Sequence, residues 1–91
     1  MIHGLDTGFL VAAELKEHAE HAAARATIAR LLAAADQIAI APQVLAEFIH
    51  VATDPRRFSQ PLDVSTSSQI AEQWWTASEV VQVFPNDAAT Q

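Results

Sequence analysis

The sequence predicts an α/β fold built on a central parallel sheet. Three short apolar, β-branched runs alternate with longer segments of helical periodicity, and together they give the order β-α-α-β-α-α-β. Strands that alternate with helices are typical of a parallel sheet with right-handed crossovers. The predicted strands cover residues 2–6, 37–41 and 80–84. No repeat or linker divides the chain, so we expect residues 1–91 to form a single domain.

Two helices are predicted between the first and second strands. An apolar run over residues 9–15 indicates a short helix, for which Asp6 or Thr7 is the N-cap. The segment 21–35 is the clearest helix, because apolar side chains recur along one face at helical spacing. The side chains on this face are Ala24, Ile28, Leu31, Leu32 and Ala35.

Two further helices are predicted before the third strand. Pro42 suits the first turn of a helix that runs to Thr53, and residues 56–62 are typical of a loop. Capping residues over 63–68 precede the last of these helices. After the third strand, Asp87 is predicted to cap a further helix. The predicted apolar faces consist of Val44, Leu45, Phe48, Ile49 and Ala52 in the first helix, and of Ile70, Ala71, Trp74 and Trp75 in the second.

Composition and charge exclude several classes of protein. Hydrophobic residues make up 51% of the chain and charged residues 18%, which is typical of a globular protein rather than a disordered one. Five basic and 11 acidic residues give a net charge of −6, which argues against a basic protein that coats phosphates. The absence of Cys excludes disulfides, Cys-ligated zinc and thiol nucleophiles. Without a basic signal-peptide start or a membrane-length apolar run, we expect a soluble cytoplasmic protein with no membrane contact.

Two carboxylates are the leading candidates for chemistry. Asp6 ends the first predicted strand, at the edge where ligands gather in open α/β sheets, and its oxygens suit Mg²⁺ or Mn²⁺. Glu47 lies beside Val44 and Val51, where partial desolvation favours a cation as its partner. Thr7 adds a hydroxyl near Asp6. Each carboxylate also has a structural interpretation, Asp6 as a helix cap and Glu47 as an exposed residue of an amphipathic helix.

Two other groups of residues are weaker candidates. Arg56 and Arg57 form the only adjacent basic pair, which could contact a phosphate backbone or a partner's carboxylates, or belong to a solvated turn. His18 and His21 could share a helical face and bind zinc, but no third ligand is evident. We therefore interpret residues 17–21 as the solvated, charged end of a helix.

Two motifs occur together in a familiar order. The opening Leu5-Asp6-Thr7-Gly8-Phe9-Leu10-Val11 resembles the start of a PIN domain. The later Ala41-Pro42-Gln43-Val44-Leu45-Ala46-Glu47-Phe48 resembles the second acidic motif of that family. The following Thr53-Asp54-Pro55-Arg56-Arg57-Phe58 and Pro61-Leu62 resemble a segment common in the toxins of VapBC-type toxin–antitoxin modules. The resemblance extends over essentially the whole chain, in the same order of elements.

The resemblance implies a three-layer PIN-like fold and a metal-dependent endoribonuclease toxin. Asp6 and Glu47 match the first two acids of the family, which implies that they are catalytic residues and ligands of Mg²⁺ or Mn²⁺. The implied substrate is RNA, which Thr7, Arg56 and Arg57 are placed to contact. A cognate antitoxin is expected to cover the acidic pocket with basic side chains, and we expect the chain to form a homodimer.

The last acidic residues of the family follow its third strand and have no counterpart before Gln91. Asp87 stands at the wrong place to substitute for them. We therefore expect the C-terminal part of the domain to be missing, which leaves this portion with two of the usual carboxylates and a weak Mg²⁺ site. The alternative is a catalytically inactive interaction module that binds an antitoxin-like partner or itself, independently of metal. A plain helical adaptor would require that the three strands be absent.

Overall fold

The structure is a computed structural model that describes residues 1–84 of the chain. It contains a parallel sheet and helices in the predicted order, which confirms an α/β fold. The predicted helix start at Asp87 lies outside the described residues. The elements are β1 (Ile2–Gly4), α1 (Thr7–Glu14), α2 (His21–Ala33), β2 (Gln37–Ile40), α3 (Pro42–Ala52), α4 (Val64–Thr76) and β3 (Val80–Gln82).

The sheet has the order β1-β2-β3, and both strand pairs are parallel. Ile38 of β2 pairs with His3 of β1 and with Val80 of β3, so these side chains share one face of the sheet. The strands are shorter than the predicted 2–6, 37–41 and 80–84. In β1 the reason is local, because Asp6 already serves as the N-cap of α1 and the chain must turn before it.

The main hydrophobic core covers one face of the sheet. Ile38 and Ile40, both almost completely buried, point to this face, where they meet Leu10 of α1, Phe48 of α3 and Ala71 of α4. Ala39 points to the opposite face and is only half-buried. Residues 1–84 therefore form two layers, a sheet and one layer of helices. The third layer that the resemblance implies stays a prediction.

The second helix packs on the first through small side chains. Ala12 and Ala13 of α1 meet Ala24 and Ile28 of α2 in a separate buried cluster. The predicted apolar face of α2 extends too far towards the C-terminal end of the helix. Leu32, near that end, is 45% exposed. Ala35, also predicted on the face, lies beyond the helix in the left-handed region, with φ of 58°.

A Schellman motif ends α2. The Ala35 amide donates to the Leu32 carbonyl and the Asp36 amide donates to the Leu31 carbonyl, each at 3.0 Å. The left-handed position of this motif usually holds Gly, because a side chain there is strained.

We expect Ala35→Gly to stabilise the protein by about 0.5 kcal/mol, because relief of the left-handed strain exceeds the added entropy of the unfolded chain. Thermal unfolding should show a rise in Tm of about 2–4 °C. The matched control is Ala34→Gly, one residue earlier, where φ is −82°. Gly in this right-handed position should lower Tm instead. Equal shifts for the two variants would contradict the assigned motif.

Asp36 ties the start of β1 to the strand beside it. Its Oδ2 lies 2.9 Å from His3 Nε2, and its Oδ1 lies 3.4 Å from the N-terminal ammonium. The hydrogen bond from His3, with a smaller contribution from the ammonium, lowers the pKa of Asp36. His3 thus has a structural role at the start of the sheet. No helix within residues 1–84 has the length and apolar character that crossing a membrane requires.

Candidate functional site

The parallel sheet brings the two predicted acidic motifs to one edge. Asp6 and Thr7 follow β1, and Glu47 lies in the helix that follows β2, the neighbouring strand. Thr7 Oγ1 donates a hydrogen bond to Glu47 Oε1 at 3.3 Å, across 40 residues of sequence. The carboxyl ends of parallel strands are where α/β proteins place their ligands. Asp6, Thr7 and Glu47 therefore form one candidate site, which we call the acidic edge.

Asp6 is the N-cap of α1. Its Oδ1 accepts a hydrogen bond from the Phe9 amide at 2.8 Å, and its backbone is extended, with φ of −100° and ψ of 170°. The structural interpretation of Asp6 as a cap is therefore correct. The cap uses one carboxylate oxygen, and within residues 1–84 no hydrogen bond engages Oδ2. An exposed carboxylate of this kind can cap a helix and still offer an oxygen to a cation.

Glu47 is exposed, so the predicted partial desolvation of its carboxylate is wrong. The neighbouring residue Phe48 takes the core-facing position, and successive residues of a helix point about 100° apart. Glu47 therefore lies on the solvent side of α3, where Thr7 is its partner. Exposure leaves the carboxylate accessible to a cation or to a basic side chain.

The donor set at the acidic edge fits a hard divalent cation. It offers two carboxylates and one hydroxyl, all oxygen donors, which Mg²⁺ and Mn²⁺ prefer. Mg²⁺ is commonly held by one or two carboxylates, with water and substrate phosphates at the other positions. Within residues 1–84 there is no group of three or more His, Asp or Glu side chains placed to hold a metal. A cation held there would have two carboxylate ligands from residues 1–84, Asp6 and Glu47.

Two open cavities flank the start of α1. One has a volume of about 450 Å³ and contains Asp6 in its lining. The other, of about 640 Å³, is lined by Thr7 and by Arg57 of the loop after α3. Gly8 and His18 line both cavities, so the two meet there. Space for a ligand is therefore available on both sides of the acidic edge.

The two arginines are both paired with Asp54. Arg56 Nε lies 3.1 Å from Asp54 Oδ1, and Arg57 Nε lies 3.6 Å from Asp54 Oδ2. The hydrogen bond from Arg56 lowers the pKa of Asp54 and raises that of Arg56. Among the described residues, Arg57 lines the cavity beside Thr7, whereas Arg56 is 86% exposed and lines neither cavity. The structure thus brings Arg57 near the acidic edge and leaves Arg56 outside it.

The segment predicted as a solvated helix end is instead an anchored turn. Glu17 accepts hydrogen bonds from the amides of Ser59 and Gln60, at 2.7 and 2.9 Å. His21 Nδ1 lies 2.9 Å from the Ala12 carbonyl oxygen, which it contacts as a donor. These bonds hold the α1–α2 connection against the loop that contains Arg57. The sequence carried no sign of the Glu17 contact, because its partners lie 42 and 43 residues away.

No protein-family model matches the chain, and the search of curated proteins found no match. The function must therefore be argued from the acidic edge itself.

Proposed function

We propose that this protein is a metal-dependent endoribonuclease of the PIN-like kind, the toxin of a VapBC-type toxin–antitoxin module. The observation that carries the proposal is the Thr7–Glu47 hydrogen bond, since it joins the two acidic motifs at the carboxyl edge of a parallel sheet. The motifs were singled out from the sequence independently of this contact. Their proximity supports a shared role in holding Mg²⁺ or Mn²⁺.

The residues of the acidic edge have distinct tasks in this proposal. The bound metal would supply a Lewis acid that activates water and stabilises charge on the phosphodiester. Asp6 is held in one orientation by its hydrogen bond from Phe9, so its remaining oxygen is directed before a ligand arrives. Thr7 holds Glu47 in the same way through Oε1. Such preorganisation lowers the cost of ordering the ligands when metal and substrate bind.

The finer fold and the partners belong to the same proposal. Residues 1–84 supply the sheet and one helical layer of a three-layer PIN-like domain. A cognate antitoxin would cover Asp6 and Glu47 with basic side chains, which the exposure of both carboxylates and the net charge of −6 favour. Self-association as a homodimer is proposed as well, since the half-exposed Val83 and the 57%-exposed Ile2 leave apolar surface uncovered at the sheet.

The direct test is cleavage of a labelled single-stranded RNA by the purified chain. We expect internal cuts in Mn²⁺ or Mg²⁺, loss of cleavage with EDTA, and recovery when Mn²⁺ is restored in excess. Single-stranded DNA of the same sequence is the matched control, and it should be cut more slowly. RNA that stays intact in both metals would contradict the ribonuclease proposal. Partner binding insensitive to EDTA and to Asp6→Asn would then support the interaction module.

A further inference from the structure

His18 is held in a defined tautomer beside the acidic edge. The amide of Glu20 donates a hydrogen bond to His18 Nδ1 at 3.0 Å. A nitrogen that accepts cannot carry a proton, so in the neutral ring the proton is on Nε2. The ring is half-buried, and no described residue forms a hydrogen bond to Nε2. His18 therefore offers a directed N–H donor without a partner among residues 1–84.

His18 stands where the two cavities meet. It lines the cavity that contains Asp6 and also the one that contains Thr7 and Arg57. Gly8 is the other residue common to both linings. A Cβ at this position would lie 3.7 Å from Asp6 Oδ1, beside the candidate metal ligand. Gly8 and His18 are thus the residues that border both cavities, where one ligand could contact both.

The turn that carries His18 is anchored at both ends. The His18 amide donates to the Leu15 carbonyl, and the His18 carbonyl accepts from the His21 amide, each at 3.0 Å. The neighbouring Glu17 is bound to the amides of Ser59 and Gln60, so its carboxylate is engaged there. This anchoring positions the imidazole before a ligand binds and reduces the entropy that is lost on binding.

A phosphate chain at the two cavities would meet one basic side chain, Arg57, and the carboxylates of Asp6, Glu17 and Glu20, so it needs a cation beside it. Arg57 lines the cavity on the side of Thr7 and has further N–H groups besides the Nε that pairs with Asp54. Phe58, which is half-buried, lines the same cavity and offers an aromatic surface. Asp6 and Glu20 line the other cavity, so a bound phosphate there needs a cation. The larger volume, about 640 Å³, is within the range of small-ligand sites.

We propose that His18 is a substrate-contacting residue, whose Nε2–H donates a hydrogen bond to a phosphate of a single-stranded RNA lying between Gly8 and His18. This inference rests on the proposed ribonuclease function and assigns part of its substrate path. The strand passes from the Asp6 cavity to the Arg57 cavity, with one nucleotide in the latter. Single-stranded RNA is favoured because the lining of the Arg57 cavity combines N–H donors with an aromatic ring.

The experiment measures the affinity of the full chain for a labelled single-stranded RNA in Ca²⁺, which supplies the cation that the Asp6 cavity needs, and its cleavage rate in Mn²⁺. We expect His18→Ala to weaken binding about 10-fold, the effect of losing a hydrogen bond to a charged group. His18→Gln should stay within about 3-fold of the original chain, because the Gln amide can place a donor near the position of Nε2. The matched control His50→Ala removes an exposed His of α3 and should change neither quantity.

The outcomes separate this inference from the proposed function. If the original chain cleaves RNA and His18→Ala matches His50→Ala in affinity and cleavage rate, the proposed role of His18 is wrong. The proposed ribonuclease function is then still supported. If the original chain neither binds nor cleaves RNA, both proposals fall. A loss of binding that Gln does not restore, accompanied by a lower Tm, would assign His18 a structural role and overturn the inference.

A second RNA identifies the group that His18 contacts. In this RNA, neutral methylphosphonate linkages replace the phosphates beside the cleavage point. The difference in affinity between the original chain and His18→Ala should fall to about 3-fold or less on this RNA, because only a neutral P=O acceptor remains there. A 10-fold difference that persists on the neutral RNA would show that His18 contacts another part of the nucleotide, and the phosphate contact would be wrong.

Discussion

Asp6→Asn and Glu47→Gln should each reduce metal-dependent RNA cleavage by at least about 100-fold. Each substitution keeps the shape of the side chain and removes the negative charge that a divalent cation requires. Asn remains a good N-cap, so α1 should keep its start, and the Gln side-chain oxygen can still accept from Thr7. The loss should therefore appear in catalysis and in Mn²⁺ affinity, with little change in Tm.

Cleavage rates and calorimetric Mn²⁺ titrations of the original chain, Asp6→Asn and Glu47→Gln test this expectation. Glu72→Gln is a matched control, because it removes one negative charge from an exposed position on α4. It should leave both rate and affinity unchanged. If Asp6→Asn or Glu47→Gln cleaves RNA as fast as Glu72→Gln, that residue is not a metal ligand in the reaction.

Phe48→Ala should destabilise the fold by about 3–5 kcal/mol, the usual range when a buried Phe is removed. The Phe48 side chain is completely buried in the core between α3 and the sheet, so its loss leaves a cavity that neighbouring side chains fill only in part. Domains of this size are stable by about 5–15 kcal/mol, so the variant should be close to unfolding. Denaturant titration gives the free energy of unfolding directly.

Val64→Ala is the control for this measurement. Val64 is 63% exposed, and its truncation should change the free energy of unfolding by less than about 0.5 kcal/mol. Should Phe48→Ala prove too unstable to purify, Phe48→Leu should give a smaller but clear loss, since Leu fills most of the space. A loss as small as that of Val64→Ala would show that α3 does not pack on the sheet through Phe48.

Local patterns were sufficient to predict most elements of the fold. Pro42 and the apolar stripe after it placed α3 within one residue of its observed bounds. Asp63 caps α4 through the Thr66 amide at 2.6 Å, a contact that also lowers the pKa of Asp63. Both signals depend on neighbours within one helical turn, so sequence alone reveals them. The end of α2 was harder to predict, because Ala35 occupies a left-handed position where Gly is the usual residue.

The candidate site was predicted less completely than the fold. Asp6 and Glu47 were singled out from their motifs, and the structure places their segments together through Thr7. Their roles as metal ligands stay a prediction. The sequence did not predict the exposure of Glu47, because a residue at the border of an apolar face can face either the core or the solvent. The sequence indicates for His18 a solvated helix end or, less well, a zinc ligand, since its position beside both cavities depends on how the α1–α2 connection folds back.

The sequence by itself determined the order of elements, the capping segments at residues 6–7 and 63–68 and the core-facing side of α3. These features arise from hydrogen bonds and apolar spacing within a few residues. Only the tertiary structure decided that Thr7 meets Glu47 and that Glu17 binds the loop amides 42 residues away. Such contacts follow from the pairing of strands and the packing of helices, whose partners are set by the whole core rather than by any local pattern.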